Sequence, residues 1–410
     1  MQPIDYDVLI VGSGIVGATY ACALLQGGMR VALVEAKPKS NEKNLEEEQF
    51  DLRTFALTRA SERIFTNLGV WDKIAAQRIS PFREMHVWDA GGLGEIHFSS
   101  AMLNEASLGH IVEQAVIQAA LTARLAEFET VTNYRPAKVQ TFNLSKDETA
   151  MQVRLDDGQS LTTRLLISAE GANSSIRTNA GIPYQLRDHG QQAIVATVQT
   201  AHPHQQTAWQ RFLPTGPLAF LPLSEPHTCS IVWSIDTPQA RRLMSLDKPA
   251  FQQALEKAFA LKLGAVTDCG QRAVFPLQSR HALQYVQARL ALIGDAAHTV
   301  LPLAGQGLNL GLLDAAALSE IVLNAHAKRQ DFGSYRELRR YERWRKGENL
   351  IMLKVMDGFK YLFAKHSIPV KWARNFGLSL TNSAAPVKKL ITQYAMGLKG
   401  DLPPLANINT

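Results

Sequence analysis

Apolar runs and glycines alternate along the first part of the chain. The apolar stretch from Asp7 to Val11 predicts a buried strand, and the apolar run that ends near Leu25 predicts a helix after a glycine turn. A further apolar stretch, from Arg30 to Glu35, predicts a second buried strand. Strand, helix and strand in this order form a βαβ unit and indicate an α/β fold.

The next part of the chain contains shorter patterns. Residues 37–49 have no apolar period and predict a solvated loop. A helix is predicted to follow, because apolar residues recur there at helical spacing. These residues are Ala60, Ile64, Leu68 and Trp71. Alternating stretches from Val131 to Arg164 then predict a meander of strands.

Two later regions complete the pattern. From Ala193 to Asp236, four short apolar or alternating pieces are separated by turns that contain Pro and Gly, which predicts a separate antiparallel sheet. The segment RLALIGDAAH predicts a buried strand that runs into a loop. The apolar segment after Gly305 predicts a long helix.

The composition is that of a globular protein with large cores. The chain has 410 residues, of which 46% are hydrophobic and 20% charged. The three cysteines are far apart and form no CxxC pair, so we expect a reducing compartment and no zinc site built on cysteine. The N-terminus indicates neither an export signal nor a spanning helix. We expect His202 and His204 to lie in a surface loop, not in a metal site.

Positive charge is concentrated near the C-terminus. The net charge is +6, but residues 336–399 contain 14 Lys and Arg against 4 Asp and Glu. Aromatic residues lie among these bases at helical spacing, which favours packing or contact with lipid over binding of single-stranded nucleic acid. The aromatic residues of this tail include Phe359, Tyr361, Phe363 and Trp372.

Glycines 12, 14 and 17 form a GxGxxG pattern between the first strand and the first helix. Gly12 allows the turn, Gly14 allows close approach of a pyrophosphate, and Gly17 allows tight packing of the helix. Glu35 ends the second strand, 18 residues after Gly17, where an acidic side chain can accept the hydroxyls of an adenosine ribose. Both NAD and FAD satisfy this geometry.

A second motif, GDAAHTVLPLAGQGLNLG, begins at Gly294 and follows a buried strand. Asp295 is therefore expected at the carboxyl edge of a sheet, where it can hydrogen-bond a sugar-like hydroxyl. Gly305, Gln306 and Gly307 then lead into a helix whose first N–H groups would face an electron-rich ring such as reduced flavin. This favours FAD. No GxSxG, HExxH or Walker pattern indicates a hydrolase, a metalloprotease or a nucleotidase.

The two motifs together resemble those of the FAD-dependent aromatic monooxygenases related to p-hydroxybenzoate hydroxylase. Three further stretches resemble the ubiquinone-biosynthesis branch of that family: DLRTFALTRAS at Asp51, LGHIVEQAVIQAAL at Leu108 and the tail from Asn349. The resemblance implies that Arg53 lies over the flavin, and that Gln114, on a helix expected from Ile111 to Leu121, lies near the ribityl chain or pyrophosphate. It also implies cofactor contacts at Ser13, Ile15, Ala36, Val139, Leu308 and Asn309.

The chain departs from this family at one motif. Where relatives have Asp-Gly, it has Glu170 followed by Gly171. The longer side chain makes a structural role in the turn as plausible as a role in docking the nicotinamide donor. We expect His298 to be a structural histidine, because flavin oxygenation needs no histidine nucleophile. No residue is singled out as catalytic.

The resemblance implies a fold and a division of the chain. The fold is a Rossmann-like FAD-binding domain of the glutathione-reductase type, interleaved with an antiparallel β-sheet substrate domain and followed by a helical tail. The FAD-binding domain is expected at residues 1–75, 100–185 and 272–335, the substrate domain at 76–99 and 186–271, and the basic helical region at 336–410. Pro302 and Leu303 are expected to line the substrate cavity, between the sheet and the flavin.

The implied activity is hydroxylation of the aromatic ring of a polyprenylated phenol or quinone precursor of ubiquinone, with NADH or NADPH and O₂ as co-substrates. Two alternatives stay open: a flavin monooxygenase that acts on another quinone, phenol or lipid, and a non-catalytic flavoprotein subunit of a lipid-biosynthetic complex. We expect a cytoplasmic protein without a nucleic-acid partner. We also expect its tail to contact the inner face of the membrane peripherally.

Overall fold

The computed structural model describes residues 3–38, 50–92, 94–301, 305–364 and 385–407. Within these residues the strands form two large sheets and one small sheet. The helices are α1 Ile15–Gln26, α2 Arg59–Asn67, α3 Trp71–Ala75, α4 Gln114–Leu125, α5 Ser175–Asn179, α6 Thr237–Ser245, α7 Lys248–Phe259, α8 Gln306–Ala327, α9 Tyr335–Ala364 and α10 Ala385–Ala395.

The strands follow the same chain order. They are β1 Tyr6–Val11, β2 Val31–Val34, β3 Thr54–Thr58, β4 Ile79–Phe82, β5 Glu84–Asp89, β6 Glu95–Ser99, β7 Gly109–Glu113, β8 Val131–Tyr134, β9 Val139–Leu144, β10 Met151–Leu155, β11 Ser160–Ser168, β12 Tyr184–Thr200, β13 Thr207–Leu213, β14 Gly216–Pro222, β15 Thr228–Asp236, β16 Val266–Ala282, β17 Val286–Gln287, β18 Leu290–Leu292 and β19 His298–Thr299.

The first large sheet has a parallel centre. Its order is β17-β18-β11-β1-β2-β8, and β9 and β10 extend it from β11 as an antiparallel meander. Strand β1 pairs in parallel with both β2 and β11, which confirms the predicted βαβ unit. The central strands are continuous apolar runs because helices cover the sheet. Helices α1 and α8 pack closely around Val16, which lies against Gly294 and Gly311.

The second large sheet is mostly antiparallel, in the order β19-β16-β12-β15-β14-β13-β5-β6. This confirms the separate antiparallel sheet predicted around residues 193–236. One face packs on α6 and α7 through an apolar core that includes Phe220, Trp233 and Phe251. The other face meets the first part of the chain, where Thr54 Oγ1 on β3 donates to Ser230 Oγ on β15 at 2.9 Å.

Two predicted helices differ from the structure. The first difference lies in the small sheet, whose order is β3-β7-β4: residues 109–113 form β7, so Ile111 lies on a strand and the helix begins only at Gln114. The helical period predicted from Ala60 to Trp71 is divided between α2 and α3, because Gly69 takes a left-handed conformation (φ +69°) between them. Of the predicted substrate segment 76–99, β4 joins this sheet, whereas β5 and β6 join the antiparallel sheet. The domain boundaries stay predictions.

His204 is another correction. It is buried, and its Nε2 lies 2.9 Å from the carbonyl oxygen of Glu225, while its Nδ1 accepts a hydrogen bond from the Gln206 amide. Burial lowers the pKa of this imidazole. The histidine holds a turn between strands together from the inside.

The described C-terminal residues are mostly helical, as predicted, and the end of the chain packs against α2. The Ala60 amide donates to the carbonyl of Met396, and Asn67 Nδ2 donates to the carbonyl of Leu405 at 2.9 Å. The sequence also predicts packing or lipid contact for four aromatic side chains of the tail, and these lie outside the part of the chain whose side chains are described. They are Phe359, Tyr361, Phe363 and Trp372. Helix α8 has the length and hydropathy of a membrane span, but 72% of its apolar window is buried inside the protein.

Candidate functional site

The glycine turn after β1 is built for close packing and leaves one open position. Gly12 has φ +103°, and a Cβ at Gly17 would collide with the Gly12 carbonyl, so α1 can approach the strand only without side chains there. At Gly14, by contrast, nothing lies within 4 Å of the Cβ position. The N-terminus of α1 therefore faces open space that a pyrophosphate can enter.

Glu35 lies at the end of β2, beside this turn. Its Oε2 accepts hydrogen bonds from the Ser13 amide at 2.9 Å and the Ser13 hydroxyl at 3.0 Å, and its Oε1 accepts one from the Lys37 amide. Partial burial opposes ionisation, but the hydrogen bonds from Lys37 and Ser13 outweigh it, so the pKa of Glu35 is below its usual value. The carboxylate is therefore ionised and oriented to accept ribose hydroxyls.

The neighbours of Glu35 include two other predicted contacts. Ala36 follows it directly. The Ala137 amide donates to the Glu35 carbonyl at 2.9 Å, and Val139 begins β9 two residues later. Gln118 on α4 donates to the Ser13 carbonyl at 3.0 Å, so α4 also borders this end of the site.

Asp295 lies beyond β18, in a short 3₁₀ helix from Gly294 to Ala296. Its side chain is accessible to water, and no described residue donates a hydrogen bond to its carboxylate. Desolvation by the surrounding protein nevertheless raises the pKa of this carboxyl, against the opposing charges of His298, Arg53 and Arg280. Asp295 is thus accessible to solvent and lies within the electrostatic influence of two arginines.

Arg53 and Gln114, both predicted cofactor contacts, lie next to each other. Arg53 Nη1 donates to Gln114 Oε1 at 3.4 Å, and the Gln114 amide donates to the Arg53 carbonyl at 2.9 Å. The Arg53 guanidinium also lies 5.3 Å from the ring centroid of Phe275 on β16. Arg53 therefore connects the small sheet to the antiparallel sheet. Its positive charge also opposes the rise in the pKa of Asp295 that desolvation causes.

The N-terminus of α8 forms another side of the site. Gly305 is its N-cap, in a left-handed conformation (φ +63°) and without a side-chain cap. Nothing lies within 4 Å of the Cβ position of Gly307. The first amides of the helix, those of Gln306, Gly307 and Leu308, have no partner inside the helix and can serve an anionic group. Pro302 and Leu303, predicted in the cavity lining, lie outside the described residues.

The Asn309 side chain holds α8 in place. Its Nδ2 donates to the carbonyls of Ala56 and Gly305, and its Oδ1 accepts from the Thr58 amide and the Ser61 hydroxyl. The buried side chain thus joins α8 to β3 and α2 and orients the N-terminus of α8. The cofactor contact predicted at Asn309 stays a prediction.

A buried ionic cluster lies directly behind Asp295. Asp314 on α8 accepts hydrogen bonds from the Gly294 amide at 3.2 Å and from Arg345 Nε at 3.1 Å, and it pairs with His298 Nε2. Burial opposes ionisation, but His298 and Arg345 outweigh it and lower the pKa of Asp314. His298 is fully buried and paired with Asp314, as expected for a structural histidine. Sequence reasoning missed Asp314 and Arg345, although a carboxylate within the apolar α8 was a usable signal.

Glu170 serves the turn in which it lies. Its carboxylate accepts hydrogen bonds from the hydroxyls of Ser174 and Ser175 and from the Ile176 amide, at 2.6 to 2.9 Å. It therefore stabilises the N-terminus of α5. Arg177 on that helix donates to the carbonyl of Ala296 at 2.9 Å and so connects this turn to the Asp295 loop.

The chain is similar to known proteins over most of its length. The family described as FAD binding domain matches residues 5–347. The chain is 37% identical to 3-demethoxyubiquinol 3-hydroxylase of Escherichia coli over 96% of its own length and 98% of the relative. It is 36% identical to ubiquinone hydroxylase UbiL of Rhodospirillum rubrum over 97% of its own length and 91% of the relative.

Solved structures show the same fold. The p-nitrophenol 4-monooxygenase PnpA of Pseudomonas putida matches with a TM-score of 0.78 at 18% identity, over 98% of this chain and 100% of the other. HpxO of Klebsiella pneumoniae, solved with FAD, matches with a TM-score of 0.74 at 19% identity, over 96% and 100%. The chain therefore belongs to the FAD binding domain family and, within it, to the FAD-dependent aromatic monooxygenases of ubiquinone biosynthesis.

Proposed function

We propose that this protein hydroxylates the aromatic ring of a polyprenylated phenol or quinol precursor of ubiquinone. One ring C–H bond becomes C–OH, the second atom of O₂ leaves as water, and NADH or NADPH supplies the two electrons. The observation that carries the proposal is the near full-length similarity to hydroxylases of ubiquinone biosynthesis. The position of the solvent-accessible Asp295, between β18 of the first large sheet and β19 of the second, supports it.

The residues of the site fit FAD. Gly14 leaves room for the pyrophosphate, Glu35 presents an ionised carboxylate to the ribose, and Asp295 has a carboxylate without a protein donor for the ribityl hydroxyls. When bound, FAD supplies the redox and oxygen chemistry. The uncapped N-terminus of α8 offers amides to the electron-rich end of the isoalloxazine. Val139, Ala36 and Gln114 stay proposed contacts.

The antiparallel sheet is apolar where it meets the Asp295 loop. Ala193, Leu277 and Leu301 form a small buried cluster there, and Val232 packs against it. We propose that the prenylated ring binds beside this cluster, because a ring without a carboxylate suits apolar surroundings. We also propose the finer division of the fold, with a glutathione-reductase-type FAD domain and a β-sheet substrate domain.

Product analysis tests the proposal. Lipids from a strain that lacks the protein are extracted, and the accumulated precursor is identified by mass spectrometry. The purified protein is then supplied with that precursor, NADH or NADPH, and O₂. We expect precursor-stimulated NAD(P)H oxidation and a product heavier by one oxygen atom. Bound FAD without any precursor-stimulated oxidation would favour the non-catalytic flavoprotein, and activity only on an unrelated phenol would change the substrate class.

A further inference from the structure

Helix α10 buries polar side chains and exposes apolar ones, which is the opposite of an ordinary surface helix. Its buried side carries Lys388 and Thr392, which are only 8% and 6% exposed. Its opposite side carries Leu390, Ile391 and Tyr394, which are 43%, 44% and 58% exposed. A helix that faces only water normally shows the opposite arrangement. The exposed apolar side of α10 therefore indicates an interaction surface.

Packing holds α10 in this orientation. Lys388 Nζ lies 5.9 Å from the ring centroid of Phe98 on β6. Directly after the helix, Met396 is buried and its carbonyl accepts the Ala60 amide. Turning the apolar side inward would break these contacts, so its exposure belongs to the folded structure.

Helix α9 extends the apolar surface. Ile351 and Val355 lie one turn apart and are 64% and 42% exposed. Glu348, on the same side of α9, and Tyr394 of α10 both lie within about 4 Å of the Cβ position of Gly400. The two helices therefore approach each other at Gly400, and each exposes apolar side chains. We call these side chains together the apolar patch; it consists of Ile351, Val355, Leu390, Ile391 and Tyr394.

The charge around the apolar patch is positive. Exposed lysines flank it on both helices and beyond α10, and none of them forms an ion pair with a described residue. These are Lys354, Lys389 and Lys399. Of the nearby acids, Glu348 pairs with Arg345 and Asp357 pairs with Arg187, and the exposed Asp401 is outnumbered by these three lysines. An apolar centre with unpaired lysines around it is complementary to an anionic bilayer, whose headgroups are negative and whose interior is apolar.

We infer that the apolar patch binds the interface of an anionic lipid bilayer, with the side chains of α9 and α10 inserted at the level of the headgroups. The lysines contact lipid phosphates, and neither helix spans the bilayer. This binding would place the protein peripherally on the membrane. It does not depend on the proposed hydroxylation, and its test involves no turnover.

Flotation with vesicles tests the inference on the full-length protein. Vesicles of phosphatidylcholine alone are compared with vesicles that also contain phosphatidylglycerol, at low and high salt. The test variant carries Leu390→Ser, Ile391→Ser and Tyr394→Ser. The matched control carries three serines at comparably exposed leucines elsewhere, Leu144→Ser, Leu186→Ser and Leu261→Ser. Flavin absorbance and thermal unfolding verify that both variants are folded.

We expect the wild-type protein and the control to float with the anionic vesicles at low salt. The bound fraction of the test variant should be lower by about tenfold or more, because its apolar contacts are lost. Charge reversal at Lys354, Lys389 and Lys399 should remove the preference for anionic vesicles, and high salt should do the same. Equal flotation of the wild type and the test variant, or no flotation of the wild type, overturns the inference.

Sedimentation velocity distinguishes a second copy of the chain from lipid. If the wild type is a dimer in solution and the test variant is a monomer, the apolar patch is covered by another copy, and the lipid inference is wrong. We expect the wild type and the test variant to have the same oligomeric state.

Discussion

Arg345 is the residue at which the buried cluster behind Asp295 can be disrupted most cleanly. Both Arg345 and Asp314 are completely inaccessible to water, and Arg345 Nε donates to Asp314 Oδ1 at 3.1 Å. Arg345→Met keeps a long apolar stem but leaves Asp314 with a buried charge and only His298 as an ionic partner. Removing one member of a buried pair typically costs about 3 to 5 kcal/mol of the free energy of unfolding.

The same change should reach the cofactor site. Asp314 also accepts the Gly294 amide, next to Asp295, so an altered Asp314 shifts the loop that carries the ribityl-binding carboxylate. We therefore expect Arg345→Met to weaken FAD binding as well as to lower stability. Because Asp295 moves without losing its own charge, the loss of FAD affinity should be smaller than that of Asp295→Ala.

Urea unfolding of the apoprotein and FAD titration measure these two effects separately. Arg340→Met is the control: Arg340 lies on the same helix and pairs with Glu337 at 2.9 Å, but it is exposed, so the expected loss is below about 1 kcal/mol. The double variant Asp314→Leu, Arg345→Met should be more stable than Arg345→Met alone, because the fully buried carboxylate is then absent. Equal destabilisation by Arg345→Met and Arg340→Met would refute the reasoning.

Three other substitutions test the remaining assignments. Gly14→Val should give a folded but colourless protein. No protein atom lies within 4 Å of the Cβ position, but the pyrophosphate must approach there. Normal flavin content by absorbance would contradict this. Asp295→Ala should weaken FAD binding by about 1.5 to 3 kcal/mol, tenfold or more, in titrations of the apoprotein, with Asp268→Ala as an exposed control. Unchanged affinity would reject the ribityl role. Burial lowers the pKa of His281 to about 4 in the folded protein. As the pH falls from 6.5, this histidine is therefore protonated in the unfolded chain before it is protonated in the folded protein. Stability should therefore decrease from pH 6.5 towards pH 4, and His281→Gln should flatten this slope in unfolding experiments; an identical slope in both proteins would exclude His281 as the cause.

The sequence by itself determined the parts of the protein that are local. The βαβ unit follows from apolar runs that a parallel sheet buries on both faces, and the GxGxxG turn follows from glycines that permit its close contacts. Asp295 could be placed at a sheet edge because it directly follows a buried strand. In each case the residues that determine the feature are neighbours along the chain.

Only the tertiary structure decided the features that depend on distant partners. An apolar segment such as the one around Ile111 can pack as strand or helix, and pairing of β7 with β3 and β4 made it a strand. Asn309 is fully used by β3 and α2, and Arg345 meets Asp314 from another helix. The exposure of the apolar side of α10 depends on tertiary packing, because the opposite side of the helix contacts Phe98. Hydrophobic periodicity reports that a residue is buried, but the identity of its partner is set by long-range packing.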